Sequence, residues 1–203
     1  ALRAEGLRAS PLVFDVAEEA AVERAFAALE RDHGRLDIFV SNVGLRNRRS
    51  LDQLAPADMR EMLEVNLTAP FVLAKKAAAL MLPRRWGRLI MVTSVAGPLA
   101  RAGDAAYTAA KGGLAALTRS LAVEYGAHGI TANAIAPGLF ATETNAARVA
   151  DPQHRPFVEM RVPLRRWGEP HEIGGAAVFL ASAEAAYVNG HVLTVDGGLS
   201  ASM

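Results

Sequence analysis

Short apolar runs alternate with longer stretches of helical pattern along the chain. Five runs, rich in β-branched residues and bounded by Gly or Pro, are predicted to be strands: residues 10–16, 35–44, 87–97, 129–138 and 190–198. Four longer stretches are predicted to be helices: residues 18–32, 56–82, 105–126 and 171–183. Strands that are apolar nearly throughout and separated by helices are typical of a parallel sheet with helices on both faces. The pattern therefore predicts an α/β fold with a doubly wound parallel sheet.

One long segment, from about residue 139 to 170, has no predicted element. It contains prolines at positions 152, 156 and 163, and a loop of this length in a compact domain is usually a lid. The chain has 203 residues, of which 51% are hydrophobic, and it shows no internal repeat or low-complexity linker. We therefore predict a single domain over residues 1–203, with a lid-like segment at 139–170.

Composition and charge argue against several classes of function. The formal net charge is +1, without the basic stripe expected of a nucleic-acid-binding surface. The chain has no cysteine, which excludes disulfides and thiol catalysis and fits a reducing, cytoplasmic location. Its five histidines lack metal-ligand spacing, and no apolar run reaches the length of a membrane span. We expect no metal site, no nucleic-acid partner and no membrane partner.

Polar and turn-forming residues follow most of the predicted strands. In open α/β sheets, ligands bind just beyond the carboxyl ends of the strands. Each of these residues alone has an ordinary explanation as a turn former or a helix-entry residue. Their joint placement predicts a ligand site at this edge, formed by Asp15, Asn42, Gly44, Thr93, Ser94, Pro137 and Gly138.

Tyr107 and Lys111 stand four residues apart in a predicted helix of mostly small residues. This spacing places both side chains on one helical face. A nearby ammonium would stabilise the phenolate and lower the pKa of the phenol, so that tyrosine becomes usable in acid–base catalysis. Ser94, thirteen residues upstream at a strand end, would face Tyr107 across a pocket. The alternative is that the Tyr107 ring packs in the core and Lys111 extends to solvent.

With these residues, the chain resembles the short-chain dehydrogenase/reductase family over essentially its whole length. The resemblance rests on seven motifs in order: FDV at 14–16, SNVG at 41–44, VNLTAPF at 65–71, TSVAG at 93–97, YTAAK at 107–111, IAPG at 135–138 and VDGG at 195–198. It implies a Rossmann-like fold and an oxidoreductase that uses NAD or NADP to transfer a hydride between nicotinamide and a carbonyl or hydroxyl group of a small molecule.

The resemblance also implies roles for individual residues. Tyr107 would donate or accept the proton, Lys111 would lower its pKa and bind the nicotinamide ribose, and Ser94 would hold the substrate oxygen. Asn66 would keep a helix kinked around a water that passes protons to Lys111. The residues implied in cofactor binding are Asp15, Val16, Asn42, Val43, Gly44, Thr93, Tyr107, Lys111, Pro137, Gly138, Phe140 and Thr142.

The sequence departs from the family pattern in two places. Residues 41–44 read Ser-Asn-Val-Gly where the family usually has Asn-Asn-Ala-Gly. The Gly-rich loop that places pyrophosphate at a helix N-terminus is not among these residues, nor is the strand end that selects NAD or NADP. Residues 1–6 look like the last turn of a helix closed by Gly6. We therefore expect the natural protein to carry on the order of fifty more N-terminal residues, comprising the first strand–helix–strand unit of the fold.

Within the family, the chain is most similar to gluconate 5-dehydrogenases and related sugar-acid or polyol oxidoreductases. The similarity rests on GLRNRRS at 44–50, LARAGDAAY at 99–107, RRWGEP at 165–170 and YVNGHVLTVDGG at 187–198. Arg48 and Arg49 match an Arg-Lys pair of those enzymes, Arg101 matches as well, and a guanidinium in this loop would hold a carboxylate. Arg48, Ser94 and Tyr107 are therefore the predicted substrate contacts.

Two other functions stay open at this point. A 3-oxoacyl-carrier-protein reductase shares the catalytic residues and would use basic surface residues to meet an acidic carrier. A non-catalytic family member would bind ligands or serve as a subunit of an assembly. The presence of Asn66, Ser94, Tyr107 and Lys111 argues against this second alternative, whereas the missing Gly-rich loop argues for it.

The helix that carries Tyr107 also predicts self-association. Small residues form a ridge along it, at Ala109, Gly113, Ala116 and Ser120, beside an apolar ridge at Leu114, Leu117 and Leu121. The leucines suit the sheet, and the small residues would let another helix approach closely. Together with the family resemblance, this ridge predicts a homo-oligomer, either a dimer or a tetramer.

Overall fold

The structure is a computed structural model, and it describes residues 2–202. Within this range, four parallel strands form one sheet: β1 (Ile38–Ser41), β2 (Gly87–Val92), β3 (Ile130–Pro137) and β4 (Val192–Val195). Their spatial order is the same as their order along the chain. Every connection between neighbouring strands crosses over through helices, as parallel pairing requires.

The helices lie on both faces of this sheet. They are α1 (Glu19–His33), α2 (Pro56–Leu63), α3 (Ala69–Met81), α4 (Ala105–Gly126), α5 (Ala146–Ala150), α6 (Arg155–Arg161) and α7 (Gly174–Ala181). Buried residues of α1, α3 and α4 pack with Leu89 and Met91 of β2 on one face. Ile90 points to the other face and packs with Ile135 of β3 and Leu180 of α7. The predicted doubly wound, Rossmann-like architecture is therefore confirmed.

A π-helical turn, Glu64–Thr68, joins α2 and α3 into one bent helical stretch. By length and composition alone, the helical stretch Pro56–Arg84 is apolar enough to cross a membrane, a property that buried core helices share. It also contributes to the core of this domain. Ala74, Ala77, Ala78 and Met81 have no exposed surface and pack in the cluster that covers the sheet.

The predicted strand at residues 10–16 is wrong. This segment has no regular secondary structure apart from a turn that begins at Val16. A strand exists only when a neighbouring backbone completes its hydrogen bonds, and none of the strands described lies beside this segment. Its apolar content still has a structural role, because Phe14 and Val16 pack against the core cluster on the α1 face.

The other predicted elements form with adjusted ends. The helix predicted at 105–126 has these bounds, and the helix predicted at 18–32 is shifted by one residue. The helix predicted at 171–183 is a 3₁₀ turn, Pro170–Ile173, followed by α7. The four strands that form are shorter than predicted, chiefly because their last residues leave the sheet and become the loops of the carboxyl edge. The first residues, Leu2–Glu5, are a 3₁₀ turn, and Gly6 follows with a φ of 79°.

About half of the predicted lid-like segment, 139–170, is helical. It contains a 3₁₀ turn, Glu143–Asn145, in addition to α5 and α6. Its two ends are tied together, because the amide of Gly168 donates to the carbonyl of Leu139, and the amide of Ala141 donates to the carbonyl of Gly168, both at 2.9 Å. Val158 of α6 and the nearby Val162 pack against Val95 and Leu199. The segment is thus an ordered arm on the carboxyl edge of the sheet.

Candidate active site

A cavity of about 520 Å³ opens at the carboxyl edge of the sheet. Its walls come from the loops that follow β1, β2 and β3 and from the first turns of α4. Most of the residues predicted from the sequence to contact cofactor or substrate line it: Asn42, Val43, Gly44, Arg48, Thr93, Ser94, Tyr107, Lys111, Pro137, Gly138, Phe140 and Thr142. Chain segments that are far apart in the sequence therefore meet at one site.

Lys111 is buried, with 2% of its surface exposed. Its Nζ donates hydrogen bonds to the carbonyl of Val43, at 3.2 Å, and to the carbonyl of Val92, at 2.9 Å. Burial lowers the pKa of the lysine from 10.5 to about 8, because the charged form loses its hydration. An ammonium has three N–H donors, so the two carbonyls leave one donor for a ligand in the cavity.

Tyr107 is half-buried, and the pKa of its phenol lies above its ordinary value. Burial is the main cause, since it disfavours the phenolate; Arg46 and the Ser94 hydroxyl oppose it, and Asp104 adds to it. The sequence predicted a lowered pKa, and in this respect the prediction is wrong. The Lys111 ammonium lies 5.8 Å from the centre of the tyrosine ring, and its hydrogen bonds go to backbone carbonyls instead.

Asn66 lies in the π-helical turn and is fully buried. Its Nδ2 donates to the carbonyls of Met62 and Leu45, both at 2.9 Å, and its Oδ1 accepts from the amide of Leu45 at 3.1 Å. The side chain thereby occupies the widened helical turn and fixes the loop that follows β1. The predicted distortion of the helix at Asn66 is present. Through its hydrogen bonds to Leu45, this residue stabilises a loop that lines the cavity.

Gly138 must be a glycine for steric reasons. A Cβ atom at this position would lie 2.6 Å from the Cβ of Asp196, which is closer than real Cβ atoms approach one another. The amide of Gly138 donates to the carbonyl of Val195 at 2.9 Å, so the loop after β3 stays against β4. Beside it, the Thr93 hydroxyl donates to the carbonyl of Ile135 at 3.0 Å. These contacts fix the part of the cavity wall that Thr93 and Gly138 form.

Some predicted residues lie outside this cavity. Asp15 is exposed, and its carboxylate accepts a hydrogen bond from the amide of Ala17 at 2.9 Å, while Val16 packs against the core. The guanidinium of Arg49 pairs with Asp58 at 3.0 Å, away from the cavity lining. The structure therefore does not bring Asp15, Val16 or Arg49 to the walls formed by the other residues.

Sequence reasoning missed Arg46 and Asp104. The Asp104 side chain has no exposed surface, and its two oxygens accept hydrogen bonds from Arg46, at 3.0 Å from Nε and 2.5 Å from Nη2. Burial raises the pKa of Asp104, but Arg46, Arg48 and Arg101 together hold it below its ordinary range. The signal was present in the sequence, because Arg46 belongs to the same basic loop as Arg48. These arginines give the mouth of the cavity a positive field that favours an anionic ligand.

The burial of Lys111 predicts a specific pH dependence of stability. The folded protein releases this proton near pH 8, whereas the unfolded chain keeps it until about pH 10.5. The unfolded state therefore binds more protons between pH 8 and 10, and the stability contributed by this site rises with pH in that window. Relative to Lys111→Met, the wild type should gain up to about 1 kcal/mol per pH unit between pH 8 and 10.

Denaturant unfolding at several pH values measures this difference. Lys75→Met, at an exposed position of α3, is the control, and its stability should run parallel to that of the wild type. Parallel curves for Lys111→Met and the wild type over pH 8–10 would contradict the prediction.

Comparison with known proteins agrees with this geometry. A family model described as enoyl-(acyl carrier protein) reductase matches residues 1–200. Gluconate 5-dehydrogenase of Gluconobacter oxydans is 42% identical over 200 residues, covering 98% of this chain and 78% of that protein. The 5-keto-D-gluconate 5-reductase of Escherichia coli is 36% identical over 198 residues, which cover 98% and 78%.

A solved structure is also similar throughout. Gluconate 5-dehydrogenase from Burkholderia cenocepacia, in complex with NADP and tartrate, superimposes with a TM-score of 0.95 at 42% sequence identity. The match covers 99% of this chain and 79% of that one. The resemblance that the sequence motifs indicated is confirmed. The chain belongs to the short-chain dehydrogenase/reductase family of NAD(P)-dependent oxidoreductases.

Proposed function

We propose that the protein transfers a hydride between a nicotinamide coenzyme and a sugar acid, interconverting gluconate and 5-ketogluconate or a closely similar pair. The observation that carries this proposal is the cavity in which Ser94, Tyr107 and Lys111 meet a loop rich in arginines. The first three residues supply acid–base chemistry at an oxygen atom, and the arginines suit a carboxylate. Two relatives that match nearly the whole chain in sequence are named for gluconate or 5-ketogluconate.

The residues around the cavity fit the nicotinamide half of NAD or NADP. The free N–H of Lys111 would bind the ribose hydroxyls, and residues 42–44 would line the ribose side. Residues 137–142 would hold the carboxamide and the adjoining phosphate, in a loop that Gly138 allows to pack directly against Asp196. When bound, the coenzyme supplies or accepts the hydride. The protein supplies orientation and the proton.

Proton transfer would follow from the arrangement of three side chains. In the reducing direction, the Ser94 hydroxyl holds the carbonyl oxygen of the substrate, and the phenol of Tyr107 donates its proton to that oxygen. The phenol of Tyr107 is protonated at neutral pH, because the ordinary pKa of tyrosine is near 10 and burial raises it further. Lys111, whose pKa is about 8, can exchange protons near that pH and can return one toward Tyr107. The oxidising direction uses the same groups in reverse.

Replacing Tyr107 by phenylalanine tests the proposed chemistry. The change deletes the proton and little of the binding surface, so ketone reduction should fall by about a hundred- to ten-thousandfold. Coenzyme affinity, measured by the fluorescence of the reduced nicotinamide, should change only slightly. Tyr125→Phe, on the same helix but packed against the core, is the matched control and should keep its activity. Activity of Tyr107→Phe within about threefold of the wild type would reject the assignment.

Arg48 is the proposed contact for the substrate carboxylate. It lines the cavity, and its guanidinium lies 3.6 Å from Asp104, which leaves other N–H donors free. A charge-assisted, two-point hydrogen bond to a carboxylate would hold the sugar acid with its keto group toward Tyr107. A neutral ketone of similar size would not use this contact.

Arg48→Gln should therefore raise the KM for 5-ketogluconate by about tenfold or more, because a hydrogen bond to a charged group is lost. The KM for a neutral ketone should stay the same. Arg49→Gln, on the same loop but paired with Asp58, removes the same charge outside the cavity and serves as the control. An unchanged KM of Arg48→Gln for 5-ketogluconate would instead favour a 3-oxoacyl-carrier-protein reductase. Faster reduction of an acetoacetyl thioester than of 5-ketogluconate by the wild type would favour the same alternative.

We further propose that the protein forms a homodimer or homotetramer in the cytoplasm, a reducing compartment to which a cysteine-free chain is suited. Support for self-association comes from the outer face of α4, where Ala109, Ala116 and Ser120 are exposed and Val123 is 85% exposed. Small side chains there would let the same helix of a second copy approach closely. Light scattering at micromolar concentration should give a mass of two or four chains, and a mass of one chain would contradict the proposal.

A further inference from the structure

We propose that Arg46 is a positioning residue for the acid–base tyrosine: its guanidinium, fixed by the buried carboxylate of Asp104, stabilises the phenolate form of Tyr107. The inference rests on the proposed function, in which Tyr107 gives and takes the proton. It assigns an electrostatic role at Tyr107 to a cation other than the lysine that the sequence motif indicates. Arg46 acts through Tyr107, without a bond to the substrate or coenzyme.

The guanidinium of Arg46 lies over the face of the Tyr107 ring. Its Cζ atom is 4.5 Å from the ring centre, compared with 5.8 Å for the Nζ of Lys111. A cation at this distance is attracted by the electron density of the ring face. Ionisation of the phenol increases that density, so the attraction is stronger for the phenolate. The contact therefore favours the ionised state that forms when Tyr107 has given up its proton.

Asp104 holds Arg46 in this place. Both carboxylate oxygens accept hydrogen bonds from the same guanidinium, and the side chain of Asp104 has no exposed surface. A buried carboxylate without a partner is costly, so the pair is strongly favoured over separated charges. Asp104 directly precedes the first residue of α4, and Tyr107 follows three positions later. The helix thus fixes the anchor and the tyrosine relative to each other.

Charged and polar groups from three parts of the chain act on Tyr107. Arg46 and Arg48, from the loop after β1, lower the pKa of the phenol, and Ser94, from the loop after β2, lowers it as well. Asp104, at the start of the same helix, raises it, and so does burial. Lys111 lies one helical turn further along. Of the groups that lower the pKa, Arg46 has the largest effect, so its loss should raise the pKa further.

A spectroscopic titration measures this effect without relying on activity. The chain has three tyrosines, and Tyr125→Phe with Tyr187→Phe leaves Tyr107 as the only phenol. Its ionisation is then followed by tyrosinate absorbance at 295 nm. In this background, Arg46→Gln should raise the pKa of Tyr107 by about one unit or more. Arg46→Lys, which keeps the charge, should show a smaller rise than Arg46→Gln, and Arg49→Gln should cause none.

A variant that removes the anchor covers the case in which Arg46→Gln alone fails to fold. With Asp104→Asn, no buried carboxylate is left unpaired. The comparison of Asp104→Asn with Asp104→Asn/Arg46→Gln then isolates the effect of the guanidinium. The double variant should titrate at the higher pH. Equal titration midpoints in the comparison whose variants fold would overturn the inference.

Kinetics in the oxidising direction provide the second readout, because this direction requires the phenolate as base. The rise of kcat with pH should move to higher pH in Arg46→Gln, with little change in KM. An increase in KM with an unchanged pH profile of kcat would overturn the inference, since Arg46 would then bind the substrate. If Arg46→Gln leaves the titration of Tyr107 unchanged while Tyr107→Phe is inactive, the role of Arg46 is rejected and the proposed function stands. A shifted titration together with an active Tyr107→Phe would support the contact and reject the proposed function.

Discussion

The rest of the site depends on one buried ammonium. Lys111 projects from α4 into the carboxyl edge of the sheet, and its Nζ binds the carbonyls of Val43 and Val92, which follow or end two neighbouring strands. These bonds hold α4 against the loops after β1 and β2, and so they hold Tyr107 opposite Ser94. Burial lowers the pKa of Lys111, because the charged form loses its hydration. The constraint that orders the site therefore also brings the pKa of Lys111 close to neutral pH.

A second pairing of charges shapes the mouth of the cavity. The carboxylate of Asp104 is buried and is surrounded by arginines, of which Arg46 makes the closest contact. One carboxylate cannot neutralise Arg46, Arg48 and Arg101, so positive charge remains at the entrance. This excess favours an anionic ligand and opposes the effect of burial on the pKa of Tyr107. The same small group of side chains therefore sets both the charge of the cavity mouth and the pKa of the phenol.

The sequence predicted the fold and most of the cavity lining, because both depend on local patterns. Apolar runs identify the strands, and the residues that follow them must meet at one edge of a parallel sheet. The segment at residues 10–16 has the same composition, yet it is not a strand, since pairing depends on a neighbour that composition does not reveal. The helices of the 139–170 segment are short, and its prolines concealed them.

The electrostatics of the site were less predictable than its geometry. The spacing of Tyr107 and Lys111 indicated a pair, but not that burial would outweigh nearby cations in setting the pKa of the phenol. The Arg46–Asp104 pair joins residues 58 positions apart, and no local pattern announces such a contact. Burial and long-range pairing arise only from the folded chain. The sequence therefore predicted which side chains meet in the cavity, whereas the folded structure was needed to describe their charge environment.

Hydride transfer between a nicotinamide coenzyme and a sugar acid is tested by the reduction of 5-ketogluconate by the purified protein, with NADPH and with NADH. Coenzyme oxidation is followed at 340 nm, and the sugar-acid product is quantified by chromatography. At least one coenzyme should be oxidised in the presence of the ketone, with one molecule of gluconate formed for each coenzyme consumed. Absence of oxidation with both coenzymes, in a preparation that binds them, would contradict hydride transfer to a sugar acid.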